Sequence, residues 1–106
     1  MTTNWTPEDL QKQLDAGDSV FLKVWKNGCG ACKLSVPAVE RIEAADTHAL
    51  VFGQISADDH PEILEIVDTE VLPVFFVFVK KVQKGRFEGF KGLEKLKKMV
   101  DECFTA

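Results

Sequence analysis

Cysteine is scarce in this sequence, and its scarcity limits the architectures that are open to the chain. The 106 residues include three cysteines, Cys29, Cys32 and Cys103. A small and odd number of cysteines argues against a framework of structural disulfide bonds. Two of the three form a Cys-x-x-Cys pair, which in a reducing compartment indicates either redox chemistry or half of a metal site.

The sequence features that mark nucleic-acid-binding, membrane-spanning and secreted proteins are also missing. Acidic residues outnumber basic ones by 17 to 13, so the chain lacks the positive surplus typical of nucleic-acid-binding proteins. No apolar run approaches the length of a membrane span, and residues 1–5 lack the basic and apolar regions of a signal peptide. We therefore expect a monomer of the cytoplasm that binds neither nucleic acid nor membrane. The length predicts a single domain over residues 1–106.

Helical and strand patterns alternate along the chain. Helices are predicted near residues 6–17, 32–45, 58–69 and 92–104, and strands near residues 19–25, 49–56, 71–79 and 82–90, with an N-terminal strand that is either absent or reduced to residues 2–5. The strand at 19–25 is apolar on both faces except at Lys23, which indicates a strand covered on both sides. Strands that alternate with helices and end in a hairpin turning at Lys80-Lys81 predict an α/β fold, with the last strand shorter than the one before it and nearer an edge.

The chemistry of the cysteine pair follows from its place at a strand-to-helix junction. A cysteine attacks a disulfide only as the thiolate. Cys29 is predicted at the N-terminus of a helix, where unpaired N–H groups and the helix dipole favour negative charge. Cys32 lies one turn further on, so it can attack a mixed disulfide and release the product. We predict dithiol–disulfide exchange, with Cys29 as the nucleophile and Cys32 as the resolving thiol.

A wider set of features resembles the thioredoxin family over nearly the whole chain. In order, these are Trp25, the sequence Cys29-Gly30-Ala31-Cys32-Lys33, Pro37, Leu72-Pro73 and Gly89. The resemblance implies a thioredoxin fold, with a central mixed sheet of four or five strands flanked by helices on both faces. It also implies that the Leu72-Pro73 bond is cis.

The resemblance also implies a function and a set of site residues. The function is a protein-disulfide oxidoreductase in electron transport and cell redox homeostasis. Its partners would be disulfide-containing protein substrates and an electron donor similar to thioredoxin reductase, with no cofactor and no metal. The implied substrate-binding residues are Trp25, Gly30, Ala31, Leu72, Pro73 and Gly89.

Three positions depart from the family pattern. Gly28 replaces a tryptophan before the first cysteine, and Ala31 replaces the proline between the cysteines. Lys23 occupies the place of a buried aspartate, and Gln54 aligns with the lysine that partners it. Lys23 is therefore assigned to the catalytic group, and its role has three interpretations. A charged Lys23 would stabilise a thiolate, a neutral Lys23 would act as a base, and a snorkelling Lys23 would reach water past Trp25.

Several alternatives stay open on the sequence alone. The same framework fits a non-catalytic interaction module, or a dimer that holds an iron–sulfur cluster through two cysteines per chain. Cys103 lies on the apolar stripe of the last helix and is predicted to be a buried structural cysteine. His48 and His60 are predicted to be solvated residues rather than ligands. Glu88 either selects basic substrates or is a solvated strand residue.

Overall fold

A five-stranded mixed sheet forms the centre of the molecule, and the computed structural model describes residues 2–105 of the chain. In chain order, the elements are β1 (Thr3–Asn4), α1 (Pro7–Asp15), β2 (Val20–Trp25), α2 (Gly30–Ala44), β3 (Val51–Ser56), α3 (Ile63–Ile66), β4 (Val74–Val79), β5 (Val82–Glu88) and α4 (Leu93–Glu102). The strands lie in the order β1-β3-β2-β4-β5. β3 pairs in parallel with β1 and β2, whereas β4 pairs antiparallel with β2 and β5. The predicted fold class is confirmed, and of the two alternatives for the N-terminal strand the reduced one is correct, since β1 has two residues.

The sheet is covered on both faces because its inner strands alternate between two apolar clusters. Val20, Leu22 and Val24 of β2 belong to one cluster, which also contains residues of α1 and α3. Phe21 belongs to the other cluster, which contains residues of α2 and α4. Since side chains alternate along a strand, Lys23 faces the same side as Phe21, beneath α2.

The helices differ from prediction mainly in their extent. α2 begins at Gly30 rather than Cys32, and it continues through Pro37 as predicted. The helix predicted near residues 58–69 has Pro61 in its first turn, but α3 is a single turn that begins after Pro61, at Ile63, so this prediction is wrong. The helical spacing of Val36 from Val39 and Ile42 predicts it on the core face of α2, but Val36 is 43 % exposed. Ser35 takes the inner position instead, in line with the buried residues one turn to either side.

The β4–β5 hairpin turns at Lys80 and Lys81, as predicted. Both residues have positive φ angles, 51° and 69°, which suit the tight turns that join twisted antiparallel strands. β5 lies at the sheet edge as predicted, but it has seven residues against six in β4, so the prediction that it is the shorter of the two strands is wrong. Its exposed first half still pairs through the backbone, which does not require apolar side chains. In residues 2–105, no helix has the length and apolar character to cross a membrane.

Candidate active site

The cysteine pair lies at the start of α2, where β2 ends. Cys29 is the N-cap of the helix, and its Sγ accepts a hydrogen bond of 3.1 Å from the backbone N–H of Cys32. The two cysteines are joined as a disulfide, with their Cα atoms 5.2 Å apart. A sulfur held at a helix N-terminus is in the position where negative charge is most favoured.

The segment before β4 packs beside Cys29. The Leu72-Pro73 peptide bond is cis, as the resemblance implied. The carbonyl oxygen of Leu72 lies 3.8 Å from Cys29 Sγ. Pro73 is held in turn by β5, since its carbonyl accepts a 2.7 Å hydrogen bond from the N–H of Gly89. The structure therefore brings Cys29, Leu72, Pro73 and Gly89 together.

Lys23 lies beneath the start of α2 and bonds to the backbone of the second cysteine. Its Nζ donates a 3.1 Å hydrogen bond to the carbonyl oxygen of Cys32, and Ser35 Oγ donates a 2.7 Å bond to the same oxygen. Lys23 is only 3 % exposed, and this burial lowers its pKa. The snorkelling interpretation is therefore wrong, because the amine is bonded inside the protein. Gln54 does align beside Lys23 in the sheet, but its amide donates to Asn4 at 2.7 Å.

Two cavities adjoin Lys23. The smaller, of about 130 Å³, is lined by Lys23, Cys32, Trp25 and their neighbours at the site. The larger, of about 510 Å³, lies towards Glu40 and Glu43 of α2. Lys23 therefore lines both cavities, and the smaller one is shared with the resolving cysteine.

Trp25 and Gly28 shape the loop that leads into the cysteine pair. Trp25 is a wall of the smaller cavity, and its indole Nε1 is buried without a hydrogen-bond partner in residues 2–105. Gly28 has a φ of +73°, a backbone conformation that glycine adopts without strain. The backbone N–H of Asn27 donates a 2.8 Å bond to Asp58, which ties the loop to the end of β3. Gly28, which replaces the tryptophan of the family pattern, therefore suits the backbone conformation of this loop.

Arg86 and Ser35 belong to the site's surroundings and were missed from the sequence. Arg86 projects from β5 and donates to the carbonyls of Val67 and Asp68, just before the Leu72-Pro73 segment. Glu88 is exposed, in agreement with its interpretation as a solvated strand residue, and it accepts from the same guanidinium at 2.9 Å. The spacing of Arg86 and Glu88, two apart on a strand, is the signal that could have paired them, since residues i and i+2 share a face. Ser35 carried no such signal, because a serine inside a helix is usually exposed.

The remaining candidates lie away from the cysteine pair. Cys103 is half-buried, with its Sγ 3.2 Å from the carbonyl of Met99. Burial and the neighbouring Glu102 raise the pKa of the Cys103 thiol. His48 stacks on Phe104, with ring centroids 4.1 Å apart, so it is less solvated than predicted.

These observations define a thiol–disulfide oxidoreductase with a thioredoxin fold, because a cysteine couple caps a helix beside a cis-proline segment. The chain belongs to the thioredoxin family, whose sequence model, described as Thioredoxin, matches residues 1–102. It is 32 % identical over 84 residues to a thioredoxin of Mycoplasma genitalium, covering 78 % of this chain and 80 % of that protein. It is 35 % identical over 80 residues to a thioredoxin of Malassezia sympodialis, covering 72 % and 73 %.

The fold is also similar to solved structures. A crystal structure of chloroplastic thioredoxin z superposes with a TM-score of 0.82, covering 96 % of this chain and 93 % of that one. The two sequences are 18 % identical, so this likeness concerns the fold alone.

Proposed function

We propose that this protein exchanges disulfides with protein substrates through the Cys29–Cys32 couple. One observation carries the proposal: Cys29 Sγ lies both 3.1 Å from the N–H of Cys32 and 3.8 Å from the carbonyl of Leu72. The sulfur is thus held where its thiolate is favoured and beside a backbone segment that a substrate chain can approach.

The exchange takes two steps. In the reduced protein, the Cys29 thiolate attacks one sulfur of the substrate disulfide, so a Cys29–substrate bond forms and the second substrate sulfur leaves as a thiolate, which takes a proton. Cys32 then loses its proton, and its thiolate attacks Cys29 Sγ, which breaks the Cys29–substrate bond and displaces the first substrate sulfur as a thiolate that takes up a proton. The products are a substrate dithiol and the Cys29–Cys32 disulfide, which is the form of this structure.

The surface around the couple supports a protein substrate. Leu34 follows Cys32 by two residues and is 71 % exposed, and Val71 precedes Leu72 and is exposed as well. A Cβ built at Gly30 would meet nothing within 4 Å, so the surface over the first turn of α2 is open. Exposed apolar side chains near an open reactive sulfur suit the docking of a chain better than that of a small polar molecule. Trp25, Ala31, Pro73 and Gly89 complete the proposed contact surface or its support.

Lys23 tunes the couple in this proposal. It is protonated in the reduced protein, because a neighbouring thiolate favours the ammonium over the neutral amine. Its charge in turn favours the thiolate form of the reduced site. The reduced state is thereby stabilised relative to the disulfide, which makes the couple more oxidising than it would be without Lys23.

The setting of the reaction is part of the same proposal. The Cys29–Cys32 disulfide must be reduced again after each turnover, so a dithiol donor similar to thioredoxin reductase is required as a partner. We place the protein in the cytoplasm, because its few cysteines are used for a redox couple rather than for structural bridges, and we propose that it acts there as a monomer.

Reduction of insulin by dithiothreitol, with and without the protein, tests the proposal. The wild type should accelerate the reaction, Cys29→Ser should abolish the acceleration, and Cys103→Ser should retain it as the matched cysteine control. If the protein accelerates insulin reduction neither with dithiothreitol nor with a thioredoxin reductase as the electron donor, the result would instead support a non-catalytic interaction module. A purified protein that is coloured and dimeric would support the iron–sulfur alternative.

A further inference from the structure

Arg86 on β5 holds the chain that leads into the active-site segment. Its Nη1 donates to the carbonyl of Val67 at 2.7 Å, and its Nη2 donates to the carbonyl of Asp68 at 2.8 Å. Glu88 orients the guanidinium by accepting from Nε at 3.1 Å and from Nη2 at 2.9 Å. The guanidinium also lies over the ring of Phe76, 5.2 Å from its centroid. The Arg86 side chain is 27 % exposed; its bond to Val67 is partly buried, whereas its bonds to Asp68 and Glu88 are exposed.

The two carbonyls that Arg86 binds lie at the C-terminal end of α3, where the helix itself supplies no N–H donor for them. Asp68 has a positive φ of 54°, and the N–H of Asp68 bonds to the carbonyl of Glu65 at 3.3 Å. The N–H of Thr69 bonds to the carbonyl of Leu64 at 3.0 Å. This pattern closes the helix with a left-handed residue and satisfies the inner carbonyls, but it leaves the carbonyls of Val67 and Asp68 for an outside donor.

β5 holds the far end of the same segment through its backbone. The N–H of Gly89 donates to Pro73, as described above. Between the two anchors, the Thr69 hydroxyl accepts from the N–H of Val71 at 3.1 Å and closes a short turn. Segment 67–73 is therefore held at both of its ends, by Arg86 of β5 and by Gly89 directly after β5. Leu72, which lies beside Cys29, is located between these two attachments.

We propose that Arg86 is a positioning residue for substrate docking: it fixes segment 67–73 so that the backbone of Leu72 meets a bound protein chain beside Cys29. This inference rests on the proposed function. Glu88 acts through Arg86 by orienting its planar fork, which a lysine could not reproduce. Arg86 touches neither the couple nor the substrate.

Protein disulfides and small disulfides should respond differently to the loss of Arg86. A protein substrate needs both the reactive sulfur and a correctly placed Leu72 backbone, so a mobile segment reduces the fraction of molecules that can bind it. A small disulfide such as hydroxyethyl disulfide needs only Cys29. Loss of Arg86 should therefore weaken protein reduction selectively.

Arg86→Met, with Lys84→Met as the matched control, tests the inference. Lys84 is an exposed cation of the same strand. In Arg86→Met, the KM for insulin should rise about tenfold, while kcat and the rate with hydroxyethyl disulfide stay near the wild-type values. Arg86→Lys should recover only part of the loss, and Lys84→Met should behave as the wild type.

Amide hydrogen exchange gives a second readout that does not depend on activity. In Arg86→Met, the amides of Thr69, Val71 and Leu72 should exchange faster, while those of β2 and β4 are unchanged. An unchanged KM for insulin, equal losses with both disulfides, or unchanged exchange at 69–72 would each overturn the role of Arg86. A wild type that reduces neither disulfide would refute the proposed function instead, and hydrogen exchange would still decide whether Arg86 holds the segment.

Discussion

Lys23 Nζ donates a hydrogen bond of 3.1 Å to the carbonyl oxygen of Cys32, which places a buried amine directly beneath the redox couple. The register of the sheet sets this relationship, since Lys23 lies on the face of β2 that α2 covers. The thioredoxin family has an acid at this position. The sign of the charge beneath the couple is therefore reversed in this protein when Lys23 is protonated.

Replacing Lys23 with methionine should make the Cys29–Cys32 couple more reducing. Without the buried positive charge, the reduced thiolate form loses stabilisation relative to the disulfide, so the reduction potential should fall by an amount on the order of tens of millivolts. Equilibration with glutathione buffers, followed by alkylation and gel shift, measures the potential.

Lys26→Met is the control for that experiment, because Lys26 is an exposed lysine close to the same site. Its effect should be small and should vanish at high salt, whereas the effect of Lys23→Met should persist, since buried charges are poorly screened. A potential that is unchanged or higher in Lys23→Met would reject the charge-stabilising role and leave the amine as a base or a structural group.

Lys23→Met should also stabilise the fold at neutral pH. Burial lowers the pKa of Lys23 below its ordinary value of 10.5, so below the folded-state pKa the protein carries a charge whose burial costs stability. Between that pKa and 10.5, the unfolded chain binds a proton that the folded chain does not, so stability contributed by this group rises with pH. The lost bond to Cys32 is partly replaced, because Ser35 still donates to the same carbonyl.

The measurement is urea unfolding of the oxidised protein, in which the couple does not titrate. The gain in unfolding free energy of Lys23→Met over wild type should be largest at neutral pH and should shrink as the pH approaches about 10. A gain that does not depend on pH would mean that packing, rather than the buried charge, causes the difference in unfolding free energy between the two proteins.

The sequence predicted those parts of the site that depend on local chemistry. The N-cap position of Cys29 follows from a strand-to-helix junction, and the place of Pro73 follows from the family pattern. The interaction between Lys23 and Cys32 could not be predicted in detail, because it depends on how α2 lies across β2. Arg86 was missed for a different reason: its partners are backbone carbonyls 18 and 19 residues away, and because every residue type has a backbone carbonyl, the sequence does not show which ones it binds.

Gly53→Ala should destabilise the fold although it adds one methyl group. Gly53 of β3 lies beneath the indole of Trp5, and a Cβ at this position would overlap the ring. Overpacking of this kind costs about 1–3 kcal/mol. Gly30→Ala is the matched control, since a Cβ there meets open space and alanine favours the helix.

Chemical denaturation of the four proteins in a double-mutant cycle with Trp5→Leu identifies the cause. If the indole is the obstacle, Gly53→Ala should cost at least about 1 kcal/mol less in the Trp5→Leu background than in the wild type. Strictly additive costs would show that Gly53 is required for some reason other than Trp5.

The reduced protein should react with iodoacetamide first at Cys29 and much later at Cys103. Cys29 sits at a helix N-terminus, where its thiolate is favoured, whereas burial and Glu102 raise the pKa of Cys103 above its ordinary value of 9.0. At neutral pH, Cys103 should therefore be alkylated roughly tenfold or more slowly, because only about 1 % or less of such a thiol is ionised. Mass spectrometry of timed samples gives the two rates, and Cys29→Ser should remove the fast phase alone. Equal rates at neutral pH would show that the site does not activate Cys29, whereas rates that converge only as the pH rises would confirm that ionisation separates the two thiols.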